Sequence, residues 1–175
     1  MKLLVLIVAG IVIVIALIVG VAAFIGSRLP KAHSASRSIF LHQPPSNVYK
    51  VVRNFAAAPE WRVDVKNVVV ESQPGGQIHF REEGKQGTVN YELAEDIPDQ
   101  KLVTKILDTD LGYSGKWTYT LKPSGEGTLV TITEGGEVSN VIFRFMSRYV
   151  FGQTASLDAY LTALGKRFGE TVTPR

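Results

Sequence analysis

The chain has 175 residues and no cysteine, and its 19 lysines and arginines exceed its 16 acidic residues. The absence of cysteine excludes disulfides, thiolate metal sites and a cysteine-linked lipid anchor. Lys2, Arg28 and Lys31 precede every acidic residue, so the chain from Ser36 onward carries no net charge. Nucleic-acid binding needs a clustered basic face that neutralises phosphates. We therefore expect no nucleic-acid partner.

The N-terminal segment from Leu3 to Ile25 contains no charged or polar side chain. As a helix it is roughly 35 Å long, enough to cross a hydrocarbon core of about 30 Å. The alternative is a signal peptide, whose apolar region has about 7–15 residues and ends at a small-residue cleavage site. Small residues in the range 32–35 resemble such a site, but they follow two further positive charges, Arg28 and Lys31. We predict an uncleaved, single-pass transmembrane anchor at residues 1–26.

Basic residues flank the apolar segment on both sides. Arg28, Lys31 and Arg37 follow it, whereas Lys2 and the terminal amine precede it. The positive-inside rule thus favours a cytoplasmic domain by a single charge.

The sequence also predicts the domain boundaries. Residues 27–35 form a polar linker, residues 36–170 a single domain of ordinary size, and residues 171–175 a tail. Small residues in the anchor, Ala16, Gly20 and Ala23, follow one helix face and are compatible with weak self-association.

The domain begins with a strand and a short helix. Pro44 and Pro45 favour a helix start, and Val48, Val52 and Phe55 belong to the apolar face of an amphipathic helix. Hairpin signals such as Pro74-Gly75-Gly76 separate the later strands. The predicted strands are Arg37–Leu41, Val65–Gln73, Gln77–Glu83, Thr88–Glu95, Lys101–Asp108, Tyr113–Lys122 and Thr128–Glu134.

Alternating side chains predict a sheet with one wet and one apolar face, and the apolar face needs a cover. Apolar residues recur at helical spacing from Val141 to Phe168. We predict one long helix there, with Gly152 as a point where it can kink. The fold class is therefore α+β, a curved antiparallel sheet around a C-terminal helix, preceded by one transmembrane helix.

This order of elements resembles the START-like helix-grip (SRPBCC) superfamily, in particular its polyketide cyclase/dehydrase-type branch. The resemblance covers about residues 35–170. Its markers are Arg37-Ser38-Ile39, Pro44-Pro45, the segment Pro59–Val65, Gly115-Lys116-Trp117, Leu121-Lys122-Pro123, Gly127-Thr128 and Thr133-Glu134.

The resemblance implies a deep apolar cavity between the sheet and the terminal helix, suited to a lipid, isoprenoid, sterol-like molecule or polyketide. Periodicity, and not the family, suggests which side chains form its walls. The alternative is that these side chains simply fill a core. The predicted pocket residues are Trp61, Phe80, Tyr91, Trp117, Tyr119, Glu134, Phe145, Tyr149 and Tyr160.

Few polar side chains fall on the inward faces of the predicted strands. Glu82 and Glu134 fall on the inward set of their strands, where burial would disfavour the ionised form. Neither a Ser-His-Asp constellation nor a histidine pair with metal-ligand spacing can be assembled, and the turn glycines do not form a phosphate loop. We therefore assign no catalytic residue, metal or cofactor, and leave enzyme activity uncertain.

Three functions follow. The favoured one is a membrane-anchored binding domain for a hydrophobic small molecule or lipid, because the anchor keeps the cavity close to the bilayer. The second is a cyclase/dehydrase-type enzyme acting on a lipophilic substrate. The third is a membrane-tethered interaction module whose cavity is filled by its own side chains.

Overall fold

The computed structural model describes residues 1–85, 87–108 and 112–175, and at Phe151 the backbone alone. The helices are α1 (Lys2–Arg28), α2 (Pro45–Arg53), a 3-10 helix (Phe55–Glu60), α3 (Val141–Met146), a single π turn (Ser147–Phe151) and α4 (Ala155–Arg167). The strands are β1 (Ala32–Leu41), β2 (Val65–Ser72), β3 (Ile78–Gly84), β4 (Gly87–Ile97), β5 (Lys101–Ile106), β6 (Tyr113–Ser124) and β7 (Gly127–Val138).

The strands form one antiparallel sheet in the order β1-β7-β6-β5-β4-β3-β2. Each strand therefore pairs with its sequence neighbour except β1, which joins the last strand. One cross-strand row runs Ala35, Glu134, Trp117, Thr104 and Leu93. The predicted fold class, an α+β helix-grip fold, is confirmed.

The inner face of the sheet is covered by α4. Leu157, Leu161 and Leu164 of α4 are fully buried, as are Val130 and Ile132 of β7. Burying a leucine side chain contributes about 1.5–3 kcal/mol. Because these leucines recur every three or four residues, they present one continuous apolar stripe to the sheet.

The predicted single C-terminal helix is divided in two. Its first part is α3 with the π turn, and its second is α4. Gly152 separates them with φ +80° and ψ 145°, a conformation accessible mainly to glycine. A kink was predicted at this residue, but the backbone leaves the helix there altogether.

Both ends of the domain are more ordered than the predicted linker and tail. Helix α1 continues to Arg28 and β1 begins at Ala32, so only three residues connect them. At the other end, Arg175 exchanges two backbone hydrogen bonds with Ser38 of β1 (2.8 and 3.1 Å). Val172 packs against the main core. The tail therefore pairs with the outer edge of β1 at Ser38.

Helix α1 is long and apolar enough to span a membrane. Most of its side chains are exposed, and its two buried residues, Ala22 and Gly26, lie one turn apart near its end. Helix α3 packs at this end. A Cβ atom on Gly26 would overlap the carbonyl of Val141, so glycine permits the close approach.

Candidate functional site

Four of the predicted pocket residues meet on the inner face of the sheet. Tyr160 of α4 lies at the centre, with ring centroids 5.2 Å from Trp61, 5.7 Å from Trp117 and 5.5 Å from Tyr119. The Trp61 and Trp117 contacts are edge-to-face, an arrangement that aromatic rings favour. Tyr119 and Tyr160 are buried, whereas both tryptophans are half-buried. We call these four residues the aromatic cluster.

An ion pair lies beside the aromatic cluster. Arg62 donates from Nη1 to Oε2 of Glu82 (2.8 Å) and from Nη2 to Oε1 (3.0 Å). It also donates to Asp64 (2.7 Å), and its guanidinium lies 5.2 Å from the centre of the Tyr160 ring. The side chains of Arg62 and Glu82 are only 14% and 18% exposed. Their two-pronged geometry fixes both groups in an otherwise apolar interior.

Two opposing effects act on the pKa of Arg62. Burial works against the charged guanidinium, but the carboxylate of Glu82 and the hydrogen bond to Asp64 outweigh it and raise the pKa of Arg62. Nε of Arg62 is buried and lacks a hydrogen-bond partner among the described residues. The Nε–H donor of the guanidinium is thus left unused.

The nearby phenols stay protonated. Burial raises the pKa of Tyr119 to about 12, with Arg62 opposing and Glu82 adding to the shift. Burial likewise raises the pKa of Tyr160 and of Tyr91, with further increases from Tyr119 and Glu82, respectively. At neutral pH these hydroxyls are therefore neutral groups that can donate or accept a hydrogen bond.

Phe80 and Tyr91 form a second aromatic patch next to the first. Phe80 stacks between Phe55 of the 3-10 helix (4.1 Å) and Tyr91 of β4 (5.0 Å). Tyr91 and Leu93 are half-buried and pack against this patch. Leu93 also packs against the main core, so the two patches adjoin.

Glu134 lies on the inner face but apart from Arg62. It pairs across the sheet with Trp117 and with Ala35, and its Oε1 is 3.4 Å from Nε2 of His33. Both side chains are about four-fifths buried. This polar pair lies near the end of the sheet where β1 leaves α1.

The two remaining predicted residues, Phe145 and Tyr149, lie on the α3 side of the break at Gly152. Their rings contact each other at 5.2 Å. Phe145 packs beside Gly26 of α1, and Tyr149 is 60% exposed. The structure thus separates them from the aromatic cluster, and their part in a pocket stays a prediction.

The surface of the described part of the chain includes an open groove and a smaller depression. An open groove of about 630 Å³ lies between the start of α2, the β4–β5 turn and β6. A smaller one of about 230 Å³ includes Phe80 and Tyr91 in its lining. Residues of the aromatic cluster line neither, because their rings pack against one another inside the core.

Arg62 was missed as a site residue by sequence reasoning. Its ion-pair partner Glu82 lies 20 residues away in the chain, and no local period connects the two. The available signal was indirect: a charged residue follows Trp61 in a segment otherwise suited to close one end of the domain.

Comparison with known proteins agrees with this architecture. The di-domain aromatase/cyclase StfQ from the steffimycin biosynthetic pathway superposes with TM-score 0.63 and 16% identity over 79% of this chain. This chain spans about half the length of StfQ, covering 52% of it. The Zhui aromatase/cyclase from Streptomyces sp. R1128 has TM-score 0.63 and 12% identity, covering 78% of this chain and 93% of its own.

A START superfamily protein from Mycobacterium smegmatis superposes with TM-score 0.61 and 17% identity, covering 77% of this chain and 96% of its own. At such low identities these superpositions show a shared fold and no more. No curated protein matches the sequence. The family described as polyketide cyclase/dehydrase and lipid transport matches residues 32–168, most of the chain and the whole sheet with its covering helices. The chain therefore belongs to the polyketide cyclase/dehydrase and lipid transport family.

Proposed function

We propose that the chain is a membrane-anchored binding domain for a hydrophobic small molecule or lipid, held between the sheet and α4. Family membership supports a role in hydrophobic-ligand binding or in cyclisation. The apolar helix α1 supports the anchor, since it is long enough to span a bilayer and is joined to β1 by three residues.

The observation that carries the proposal is the polar set inside the aromatic interior. Arginine and glutamate are almost never fully buried unless paired, and a buried pair adds little net stability. Binding pockets commonly combine apolar walls with a few placed polar groups that orient the ligand. Arg62, Glu82 and the hydroxyls of Tyr91, Tyr119 and Tyr160 fit that description.

This set favours a ligand with an apolar body and one polar head. Trp61 and Trp117 are half-buried, so the cluster is open to solvent at these rings. An apolar ligand would enter by displacing aromatic rings from one another. Its polar head would accept a hydrogen bond from a phenol or from the unpartnered Nε of Arg62.

Tryptophan fluorescence of the full chain tests this proposal directly. The chain contains two tryptophans, Trp61 and Trp117, and both belong to the aromatic cluster. A dibrominated fatty acid, whose bromines quench tryptophan only at contact distance, is titrated into the chain in detergent micelles. We expect quenching that saturates at one molecule per chain.

The matched control moves the reporter outside the site. Both tryptophans are replaced by phenylalanine and Val63, an exposed residue next to Arg62 in the chain, is replaced by tryptophan. This variant should show only weak quenching that does not saturate. Equal, unsaturable quenching in both proteins would contradict the proposal.

The packing of the rings favours a second candidate, an interaction module with a filled interior. Tyr160 contacts the other three rings of the cluster, and the groove and the smaller depression described above lie elsewhere. This candidate requires the dibrominated fatty acid and a panel of other apolar probes to leave both tryptophans unquenched.

The cyclase alternative rests on the family and on neutral phenols near a guanidinium. A lipophilic polyketide incubated with the chain and extracted would then lose the mass of water, whereas a binding protein returns it unchanged. Under this alternative, Tyr119→Phe or Glu134→Gln should abolish turnover while quenching persists.

A further inference from the structure

We infer that residues 141–150, which comprise α3 and most of the π turn, form a second membrane contact that lies in the interfacial layer of the bilayer beside α1. This inference rests on the proposed anchor, since it assigns the surface that faces the lipid around that anchor. Its occupant is the lipid surface itself, and not a further protein.

The first argument is the position of α3 along α1. Its starting residue, Val141, meets α1 at Gly26, one residue beyond the last apolar residue of the anchor. Arg144 donates from Nη1 to the carbonyl oxygen of Leu29 (2.8 Å), just past the end of α1. These contacts hold α3 at the level where a spanning helix leaves the hydrocarbon core.

The second argument is the exposure of apolar side chains on this segment. Phe143 is 41% exposed, Tyr149 60% and Val150 58%. Phe143 is only partly covered, by the ring of Tyr113, and more than half of the Tyr149 and Val150 side chains is exposed. Helices with exposed aromatic and aliphatic residues beside basic ones lie in the membrane interface.

The third argument is charge. Arg148 is exposed on the segment itself, and Arg28 and Lys31 lie at the adjoining end of α1. Residues 141–150 contain no acidic side chain. Clustered cations at the edge of a spanning helix attract anionic lipid headgroups. Apolar contact and charge therefore point to the same partner.

The contact has a consequence for the proposed site. Strands β6 and β7 pair at Tyr113 and Val138, next to the docked α3, and Tyr113 stacks on Phe143 at 5.8 Å. Trp117 lies four residues further along β6 on the same face. A membrane-bound α3 thus brings the Trp117 end of the aromatic cluster close to the lipid surface.

The absence of cysteine allows a clean test on the full chain. Single cysteines are introduced at Val150, at Val63 and at Val12, and each is spin-labelled after reconstitution into vesicles of phosphatidylcholine and phosphatidylglycerol in equal amounts. Collision rates with oxygen, which concentrates in lipid, and with a water-soluble nickel chelate report the depth of each label. Val63 is the matched control, an exposed valine outside this segment (87% exposed).

We expect the Val150 label to favour oxygen over nickel, as the Val12 label in the middle of α1 does, and the Val63 label to favour nickel. A Val150 label that matches Val63, while Val12 reads as lipid-embedded, overturns the inference and leaves the anchor intact. A Val150 label shielded from both reagents also overturns it, because a protein then covers the segment. An aqueous Val12 label overturns the anchor itself, and the second contact with it.

Discussion

The two halves of the C-terminal segment both carry apolar residues at helical spacing, but their surroundings differ. Helix α4 buries its leucines completely against the sheet, whereas α3 packs on α1, and Phe143, Tyr149 and Val150 of α3 and the π turn are exposed. Helical periodicity therefore shows that a segment has an apolar face, but not what covers that face. In α4 the cover is the domain core, and in α3 it is the end of α1 together with, as we propose, lipid.

The largest expected effect concerns the ion pair beside α4. Arg62→Met leaves Glu82 buried without its partner, which should cost roughly 3–5 kcal/mol of unfolding free energy. Arg81→Met is the matched control, since the Arg81–Glu83 pair on the same strand is 47% and 43% exposed. That change should stay within about 0.5 kcal/mol. Urea unfolding of the full chain in micelles, followed by tryptophan fluorescence, measures both.

A double variant separates the two causes of such a loss. Arg62→Met with Glu82→Leu removes both charges, so it should recover part of the stability lost in the single variant. If the double variant is as unstable as Arg62→Met alone, the loss comes from packing around the arginine stem and not from an unpaired carboxylate.

The next effect compares the two halves directly. Leu161→Ala opens a cavity beneath α4 and should cost about 2–5 kcal/mol. Val150→Ala, on the exposed side of the break, should change the unfolding free energy in micelles by about 0.5 kcal/mol or less. The same urea titration applies. Comparable losses in the two variants would mean that the domain core extends over the π turn.

The unfolding free energy at alkaline pH tests the burial of Tyr119 under α4. The pKa of Tyr119 is about 12 in the folded chain and about 10 when unfolded. The unfolded chain releases this proton first, so the stability due to the neutral phenol is complete below pH 10 and is lost between about pH 10 and 12. The loss should be on the order of 2–3 kcal/mol.

Tyr119→Phe provides the control, because it keeps the ring and removes the titrating group. The decline in unfolding free energy above pH 10 should be smaller in this variant. An unchanged alkaline decline would show that Tyr119 ionises at its ordinary pKa and is therefore in contact with water.

The smallest effect concerns the break itself. Gly152→Ala places a side chain on a residue with φ +80°, at a cost of about 1–3 kcal/mol, although a Cβ atom there would meet no described neighbour within 4 Å. Gly20→Ala in α1 is the control, since replacing glycine by alanine within a helix stabilises the helix. Thermal unfolding measures both. If Gly152→Ala were neutral, the predicted continuous helix would be an accessible state.

The sequence predicted much of this molecule because the relevant signals are local. The length of α1 follows from an uninterrupted apolar run, and alternation located Tyr119 and Leu121 on the buried face of β6. Turn glycines marked the strand boundaries. The resemblance of residues 35–170 to the family is confirmed by the match over residues 32–168.

Contacts between remote segments were decided only by the tertiary structure. Arg62 and Glu82 meet because β2 and β3 pair below the loop that carries Arg62, and neither sequence segment encodes that meeting. The docking of Val141 on Gly26 likewise depends on how β1 and β7 place α1 and α3 at one end of the sheet. Periodicity acts over a few residues and fixes which side of an element is apolar. The partner of that side depends on the geometry of the whole sheet.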